Sequence, residues 1–158
     1  MSRREQELLS SAALITFRLN GQFLDLAEQL ARPAGITAAW WQVLGAVIDT
    51  PLTVSDIGRG MGISRQAVQR TADLLVGKGL AEYHDNPAHR RAKLVALTEA
   101  GRAANAAIGP QHAREAARLT AAMGEQELAN AVAAMTTLSE VLDALAQPRS
   151  RPDQELIV

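Results

Sequence analysis

The stretch Val54-Ser55-Asp56-Ile57-Gly58-Arg59-Gly60-Met61-Gly62-Ile63-Ser64-Arg65-Gln66-Ala67-Val68-Gln69-Arg70 decides the fold. Ile57 and Met61 give a short helix, from about Val54 to Met61, an inner apolar face. Gly62 breaks it, because glycine accepts a left-handed backbone that strains other residues. Ser64 is placed to cap a second helix reaching about Lys78, with Ile63, Val68, Thr71 and Leu75 turned inward. Two short helices joined by a glycine turn form a helix-turn-helix. The second helix then presents Arg65, Gln66, Gln69, Arg70 and Asp73 outward. Arginine matches guanine, and glutamine matches adenine, through paired hydrogen bonds in the major groove. The backbone amides beside Ser64 form a positive helix end suited to a phosphate. An ordinary solvated face carries the same residue types, so this helix alone leaves both readings open.

Downstream, Gly77 and Gly79 end the second helix. Two strands follow, Leu80–His84 and Lys93–Leu97, joined by the polar loop Asp85-Asn86-Pro87-Ala88-His89-Arg90-Arg91-Ala92. A hairpin directly after a helix-turn-helix is a wing. Its tip, with His89, Arg90 and Arg91, can enter a narrow A·T-rich minor groove, where negative potential attracts arginine. Upstream, Thr37 caps a helix carrying Trp40, Trp41, Val43, Leu44, Val47 and Ile48, which Pro51 is expected to stop. Before it, from about Glu5 to Leu30, an apolar stripe runs through Leu8, Ala12, Ile15, Leu19, Phe23, Leu26 and Leu30 in steps of three and four. Pro33 and Gly35 end that helix.

At the other end Thr98 caps a long helix that Gly109-Pro110 should kink or restart. A last helix from Gly124-Glu125 carries Leu128, Val132, Met135, Leu138, Leu142 and Leu145, and Pro148 ends it. The expected fold is mainly α with a small β wing. Residues 1–36 form an N-terminal dimerisation helix, 37–97 a winged helix-turn-helix lobe, 98–147 C-terminal dimerisation helices, and 148–158 a tail. Two apolar seams, one near each terminus, exceed what one chain of this size needs to cover, which points to a homodimer.

The net charge of −1 argues at first against nucleic acid, but its distribution does not. Between Thr53 and Leu94 there are seven Lys/Arg against four Asp/Glu, so a basic centre sits between acidic arms. The chain has no cysteine, which removes disulfides, thiolate chemistry and thiolate metal sites. His84, His89 and His112 are too scattered for a metal site. No G-x-S-x-G, P-loop or G-x-G-x-x-G is present, and the glycines of Gly58–Gly62 lie inside the helix-turn-helix. No catalytic residue, cofactor or metal is therefore expected. The N-terminus lacks a signal-peptide core. The longest apolar candidate, Leu128–Ala146, is interrupted by Asn130, Thr136, Glu140 and Asp143, short of the ~20 residues of a membrane span. A soluble, cytoplasmic protein with no membrane association is expected.

Taken in order, several short segments resemble the MarR (multiple antibiotic resistance regulator) family. They are Thr37 with Trp41-Gln42-Val43-Leu44, Val54-Ser55-Asp56-Ile57, Met61-Gly62-Ile63-Ser64-Arg65, Lys78-Gly79-Leu80, Asn86-Pro87-Ala88-His89-Arg90-Arg91 and Leu97-Thr98-Glu99-Ala100-Gly101. The chain departs from the family at Gly58, where a small alanine is more usual, and at His89, where the family wing carries an acid that orients its arginines. The resemblance implies an obligate dimer joined by the first and last two helices, binding double-stranded palindromic DNA. Ser64, Arg65, Gln66, Gln69 and Arg70 would act from the recognition helix, and His89, Arg90 and Arg91 from the wing. It also implies a repressor released by a small aromatic or lipophilic anion held between the dimer helices and the DNA-binding lobe. Adjacent helix positions point about 100° apart, so Trp40 and Trp41 do not share one core. Trp40 with Phe17 and Arg18 offers an aromatic wall and a cation for such an anion, beside the alternative that Trp40 packs at the dimer seam. Two other readings stand against a DNA-binding regulator. One is a winged-helix module that binds a protein, which an acidic recognition face would favour. The other is a small helical enzyme or ligand carrier, which a convergent polar pocket would favour.

Overall fold

The computed structural model describes residues 2–146; the expected stop at Pro148 and the tail 148–158 lie outside them. Two compact units divide after His112. The first opens with helix α1 (Arg3–Ala31), capped by Ser2. Ser2 Oγ accepts from the Glu5 amide at 3.2 Å, and the Glu5 carboxylate accepts from the Ser2 amide at 2.7 Å. This reciprocal box starts the helix ahead of Glu5, the expected beginning, and the S-x-x-E spacing is its signal. A single 3-10 turn (Arg32–Ala34) and Gly35 at φ 74° end α1.

Helix α2 (Ala38–Ala46) starts on Thr37, as its spacing predicts. It ends well before Pro51, because the chain turns away at Val47 and buries that side chain. Strand β1 (Leu52–Thr53) leads into α3 (Val54–Met61). Gly62 sits at φ 64°, and Ser64 caps α4 (Arg65–Gly77). Strands β2 (Ala81–His84) and β3 (Leu94–Leu97) form the hairpin, and Thr98 caps α5 (Glu99–Ala106). The sheet has three strands in the order β1-β3-β2, all antiparallel, with Leu52 opposite Val95 and Tyr83 opposite Val95 on the other side. Only β2 and β3 were expected. A two-residue strand is too short for alternation to reveal it.

The core joins the end of α1 to the winged-helix elements. Leu30, Ala31, Ile36, Val43, Leu44, Val47, Ile57, Val68, Ala72, Leu75, Val95, Leu97 and Ile108 pack as one cluster. Each large aliphatic side chain so buried stabilises the fold by roughly 1.5–3 kcal/mol. Residues 1–36 and 37–97 therefore share an interior through Leu30 and Ala31. Two expectations about the inner faces change. Ala72 is buried, whereas Met61 is 39% exposed and turns to a cleft described below. At Gly58 a Cβ would come within 2.7 Å of the Ile63 carbonyl oxygen, so even alanine is too large where α3 meets the turn. Gly101 is tighter still, since a methyl group there would sit on the Leu80 carbonyl. Thr98 ties the same corner, its hydroxyl donating to the Gly79 carbonyl at 2.6 Å and accepting from the Gly101 amide at 3.1 Å.

Helix α6 (Gly109–Met123) starts at the expected restart and runs into the second unit. Helix α7 (Glu125–Ala146) follows Gly124, which has φ 89°. No residue of α6 or α7 is buried, and Leu119, Val132, Met135, Leu138, Val141, Leu142 and Leu145 are bare. By length and composition α7 is long and apolar enough to cross a membrane, contrary to expectation. Alanines at 129, 131, 133 and 134 raise its apolar content across the polar interruptions.

Candidate nucleic-acid interface

The start of α4 and the root of the wing face one another. Ser64 Oγ accepts from the Ala67 amide at 3.2 Å, so the helix opens with one of its otherwise free N–H groups satisfied. Arg65, Gln66, Gln69 and Arg70 line one shallow concavity along α4. A second cleft of about 390 Å³ is lined by Thr53, Val54, Ser55, Arg65, Gln69, Tyr83, Arg91, Ala92 and Lys93. It gathers three cations from the recognition helix and the wing around a polar floor. Among the described residues, Arg65, Arg70, Arg90 and Arg91 make no ion pair. Arg59, by contrast, is tied to Asp56 at 2.9 Å.

The wing turn is built by Asn86. Its carbonyl accepts from the His89 amide at 3.1 Å, and its side chain accepts from the Ala88 amide at 3.0 Å. This is a local Asx-type turn. The His89 carbonyl accepts from the Ala92 amide at 3.1 Å, which leaves Arg90 and Arg91 exposed on the loop. His89 thus shapes the turn through its backbone. Arg90 lines a separate hollow with Asp85, Asn86 and Pro87, while Arg91 faces Arg65 across the second cleft.

One feature of this surface escaped the sequence reading. Gln69 Nε2 donates to Asp73 Oδ1 at 3.0 Å and to Tyr83 Oη at 2.8 Å. Tyr83 Oη donates to the same Asp73 oxygen at 2.5 Å. Burial, then the hydrogen bond and negative charge of Asp73, push the Tyr83 hydroxyl up from 10.0 to about 12, and the Gln69 bond offsets this in part. Gln69 and Asp73 stand four apart on α4, a spacing visible in sequence; the approach of Tyr83 from β2 is tertiary.

A different cleft, of about 500 Å³, lies in the first unit. Its walls include Phe23, Leu24, Leu30, Trp41, Met61 and His112, with Asn20, Gln42 and Asn105 as polar points. Trp41 donates its indole N–H to Asn105 Oδ1 at 3.0 Å and meets the His112 ring edge-on at 6.0 Å. Of the three residues expected around an effector, Phe17 is 71% exposed, and neither it, Arg18 nor Trp40 lines this cleft. Trp40 instead packs partly buried against the core. Among the described residues no cluster of three His, Cys, Asp or Glu suits a metal ion.

A helix-turn-helix whose second helix runs into a braced hairpin, flanked by long helices, defines a winged-helix protein. Residues 34–92 match the model of the MarR family. Uncharacterized protein Rv2011c of Mycobacterium tuberculosis is 46% identical over 86 residues, 54% of this chain and 60% of that protein, so less than two thirds of the relative is spanned. The transcriptional repressor CouR, solved bound to a 23-mer DNA duplex, superposes with TM-score 0.69 at 26% identity, over 88% of this chain and 98% of that one. The M. tuberculosis transcriptional regulator MosR, solved with DNA, has TM-score 0.71 at 22% identity, over 86% and 98% of the two chains. Over residues 34–92 the chain is similar to the MarR family, and its fold is that of these solved regulators.

Proposed function

We propose that this protein is a non-enzymatic, cytoplasmic transcriptional regulator that binds palindromic double-stranded DNA as a homodimer. The observation that carries this reading is the cleft where Arg65 of α4 meets Arg91 and Lys93 of the wing without a carboxylate among its lining residues. Cations left without protein partners are available to phosphates and base edges. Arg65, Gln66, Gln69 and Arg70 enter the major groove, the amides beside Ser64 hold a phosphate, and Arg90 and Arg91 reach the minor groove. His89 acts through the turn it closes. A basic surface of this kind does not suit the protein-binding alternative, which would want acids on α4. CouR, similar to this chain in fold, is a repressor bound to a DNA duplex, and repression is the sign we assign here.

The dimer follows from the bare apolar faces of α1 and α7. Leu8, Ile15 and Phe23 on one helix and Leu138, Leu142 and Leu145 on the other are each at least 40% exposed in the single chain. A second copy of the chain covers such faces and sets two recognition helices about 34 Å apart, one DNA turn. The carboxylates Glu125, Glu127, Glu140 and Asp143 favour this over a membrane for α7.

Selection of bound duplexes from a random pool tests the reading and should return an inverted repeat. With 6–10 phosphates contacted per dimer, log K should fall against log salt with a slope of roughly −5 to −9. A slope near zero, or no enriched duplex, would overturn it. Arg91→Ala should weaken binding most on A·T-rich flanks, whereas equal loss on every sequence would put Arg91 on phosphate alone.

An aromatic or lipophilic effector completes the reading. The cleft beside Trp41 is mostly apolar, holds a few polar points, and has the size of a small-molecule site. The effector therefore belongs against Trp41, and not in the Phe17, Arg18 and Trp40 arrangement expected from sequence. The chain has two tryptophans, so Trp40→Phe leaves Trp41 as the sole reporter. Salicylate should then quench the remaining fluorescence and release operator DNA; unchanged fluorescence and DNA affinity would remove this cleft from the mechanism.

A further inference from the structure

We propose that the cleft beside Trp41 takes an uncharged aromatic ligand that accepts a hydrogen bond, such as a carboxamide, in place of an anion, and that Asn105 supplies the donor. The inference rests on the effector reading above and names the ligand class of that same cleft.

The cleft differs in charge from the surface assigned to DNA. Among the described residues that line it there is no Lys, Arg, Asp or Glu. The cleft at the wing root, by contrast, gathers Arg65, Arg91 and Lys93. Asn20 and Gln42 add amide groups to the Trp41 cleft and no charge, and His112 is the one lining side chain able to become a cation. A carboxylate entering here gives up hydration against walls such as Phe23 and Leu30 and meets no fixed positive charge. An ion desolvated without a partner is strongly disfavoured, whereas a neutral polar group needs only hydrogen bonds. The lining therefore favours an uncharged ligand over the anion that the family resemblance implies.

The Asn105 donor follows from its partner. An indole N–H only donates, so the Asn105 atom 3.0 Å from Trp41 Nε1 is the carbonyl oxygen. That contact fixes which way the amide is turned. The Asn105 NH2 makes no hydrogen bond among the described residues, so its hydrogens are free of the protein. Asn105 is half-buried on α5 and lines the cleft next to Trp41. A ring lying against Trp41 can thus place a carbonyl oxygen on this amide, with the indole holding the donor in position.

Calorimetric titration of the full chain at neutral pH tests this with two ligands of one shape: salicylamide, which is neutral, and salicylate, an anion. Salicylamide should bind roughly tenfold tighter or more, because the anion loses hydration with no fixed cation to replace it. Asn105→Asp keeps an acceptor for the Trp41 N–H but removes the donor, and should weaken salicylamide roughly tenfold. Gly45→Leu fills the cleft from α2, where an added Cβ meets nothing within 4 Å, and should abolish binding in a chain that stays folded by circular dichroism. Salicylate binding as tightly as salicylamide would overturn the inference and leave the effector reading in place. So would a salicylate affinity that rises on acidification and is lost in His112→Gln, since the anion would then be paired with the histidine. Salicylamide affinity unchanged in folded Asn105→Asp would overturn the assigned donor. Affinity unchanged in Gly45→Leu would put the ligand outside this cleft and overturn both readings. Failure of both compounds to bind would sink the effector reading, and the inference with it.

Discussion

The winged-helix elements and the long helices α1 and α7 use similar side chains to opposite ends. Leu44, Ile57, Leu75 and Val95 are closed off from water, while Leu8, Leu9, Ile15 and Leu142 on the long helices stand mostly in it. The backbone of each long helix is satisfied internally, as in any helix, so its shape needs no neighbour. Its apolar face does. One region is thus complete as a single chain, and the other carries surface whose free energy is collected only on association. The lesson is that fold and assembly are encoded in different places: caps and small residues fix the lobe, and leucine stripes hold the rest.

The comparison is tested most severely in the lobe. Leu44→Ala should cost about 2–5 kcal/mol in urea unfolding, because a fully buried leucine leaves a cavity. A cost below 1 kcal/mol would mean that the lobe is not closed. Gly101→Ala should cost about 1–3 kcal/mol, since the Leu80 carbonyl has nowhere to retreat without moving the Thr98 corner. Helix propensity alone would make the same change stabilising, so the sign decides.

The long helices should respond to concentration instead. If folding and dimerisation are coupled, each tenfold dilution lowers apparent stability by about 1.4 kcal/mol. Leu142→Ala should weaken the dimer in sedimentation and leave unfolding at high concentration less affected than Leu44→Ala. A melting temperature independent of concentration, with a single-chain mass, would erase the contrast between the two regions.

The smallest expected effect concerns pH. Tyr83 is held up to about 12 in the folded protein against 10.0 for the ordinary group. The fold therefore favours the protonated hydroxyl. That contribution is fully present below pH 10 and is lost as pH rises through about 12. Tyr83 is the single tyrosine of the chain, so tyrosinate absorbance reports it without ambiguity. Titration at 10 would mean that neither the burial of Tyr83 nor its contact with Asp73 is kept in solution, and Tyr83→Phe should flatten the alkaline part of the stability curve.

Much of the lobe was legible in sequence because its boundaries are written in local chemistry. Thr37, Ser64 and Thr98 cap the helices they were read to cap, and Gly62 and Gly79 take positive φ where a turn was expected. What escaped was tertiary. Met61 fits the periodicity of an inner face, but its neighbours leave a cleft there instead of core. Trp40 and Trp41 are separable by angle, yet which of them meets a cleft depends on α1 and α5. The outward residues of α4 could be named, and the engagement of Gln69 could not, because its second partner lies on another element.

Strand β1 carries a consequence for how the lobe opens. Thr53 pairs with Leu94 in the sheet and is also the cap of α3, accepting from the Asp56 amide at 3.1 Å. The chain between these paired residues contains the whole helix-turn-helix. Closing the ladder therefore fastens a loop around both helices, and one residue belongs to both closures. The wing root cannot fray while the start of α3 stays intact. Amide hydrogen exchange should reflect this: the amides of β3 and those of the first turns of α3 should open in one cooperative step, with a common free energy and a common urea dependence. A wing anchored in this way transmits a shift of α3 directly to its arginines, so lobe and wing behave as one lever.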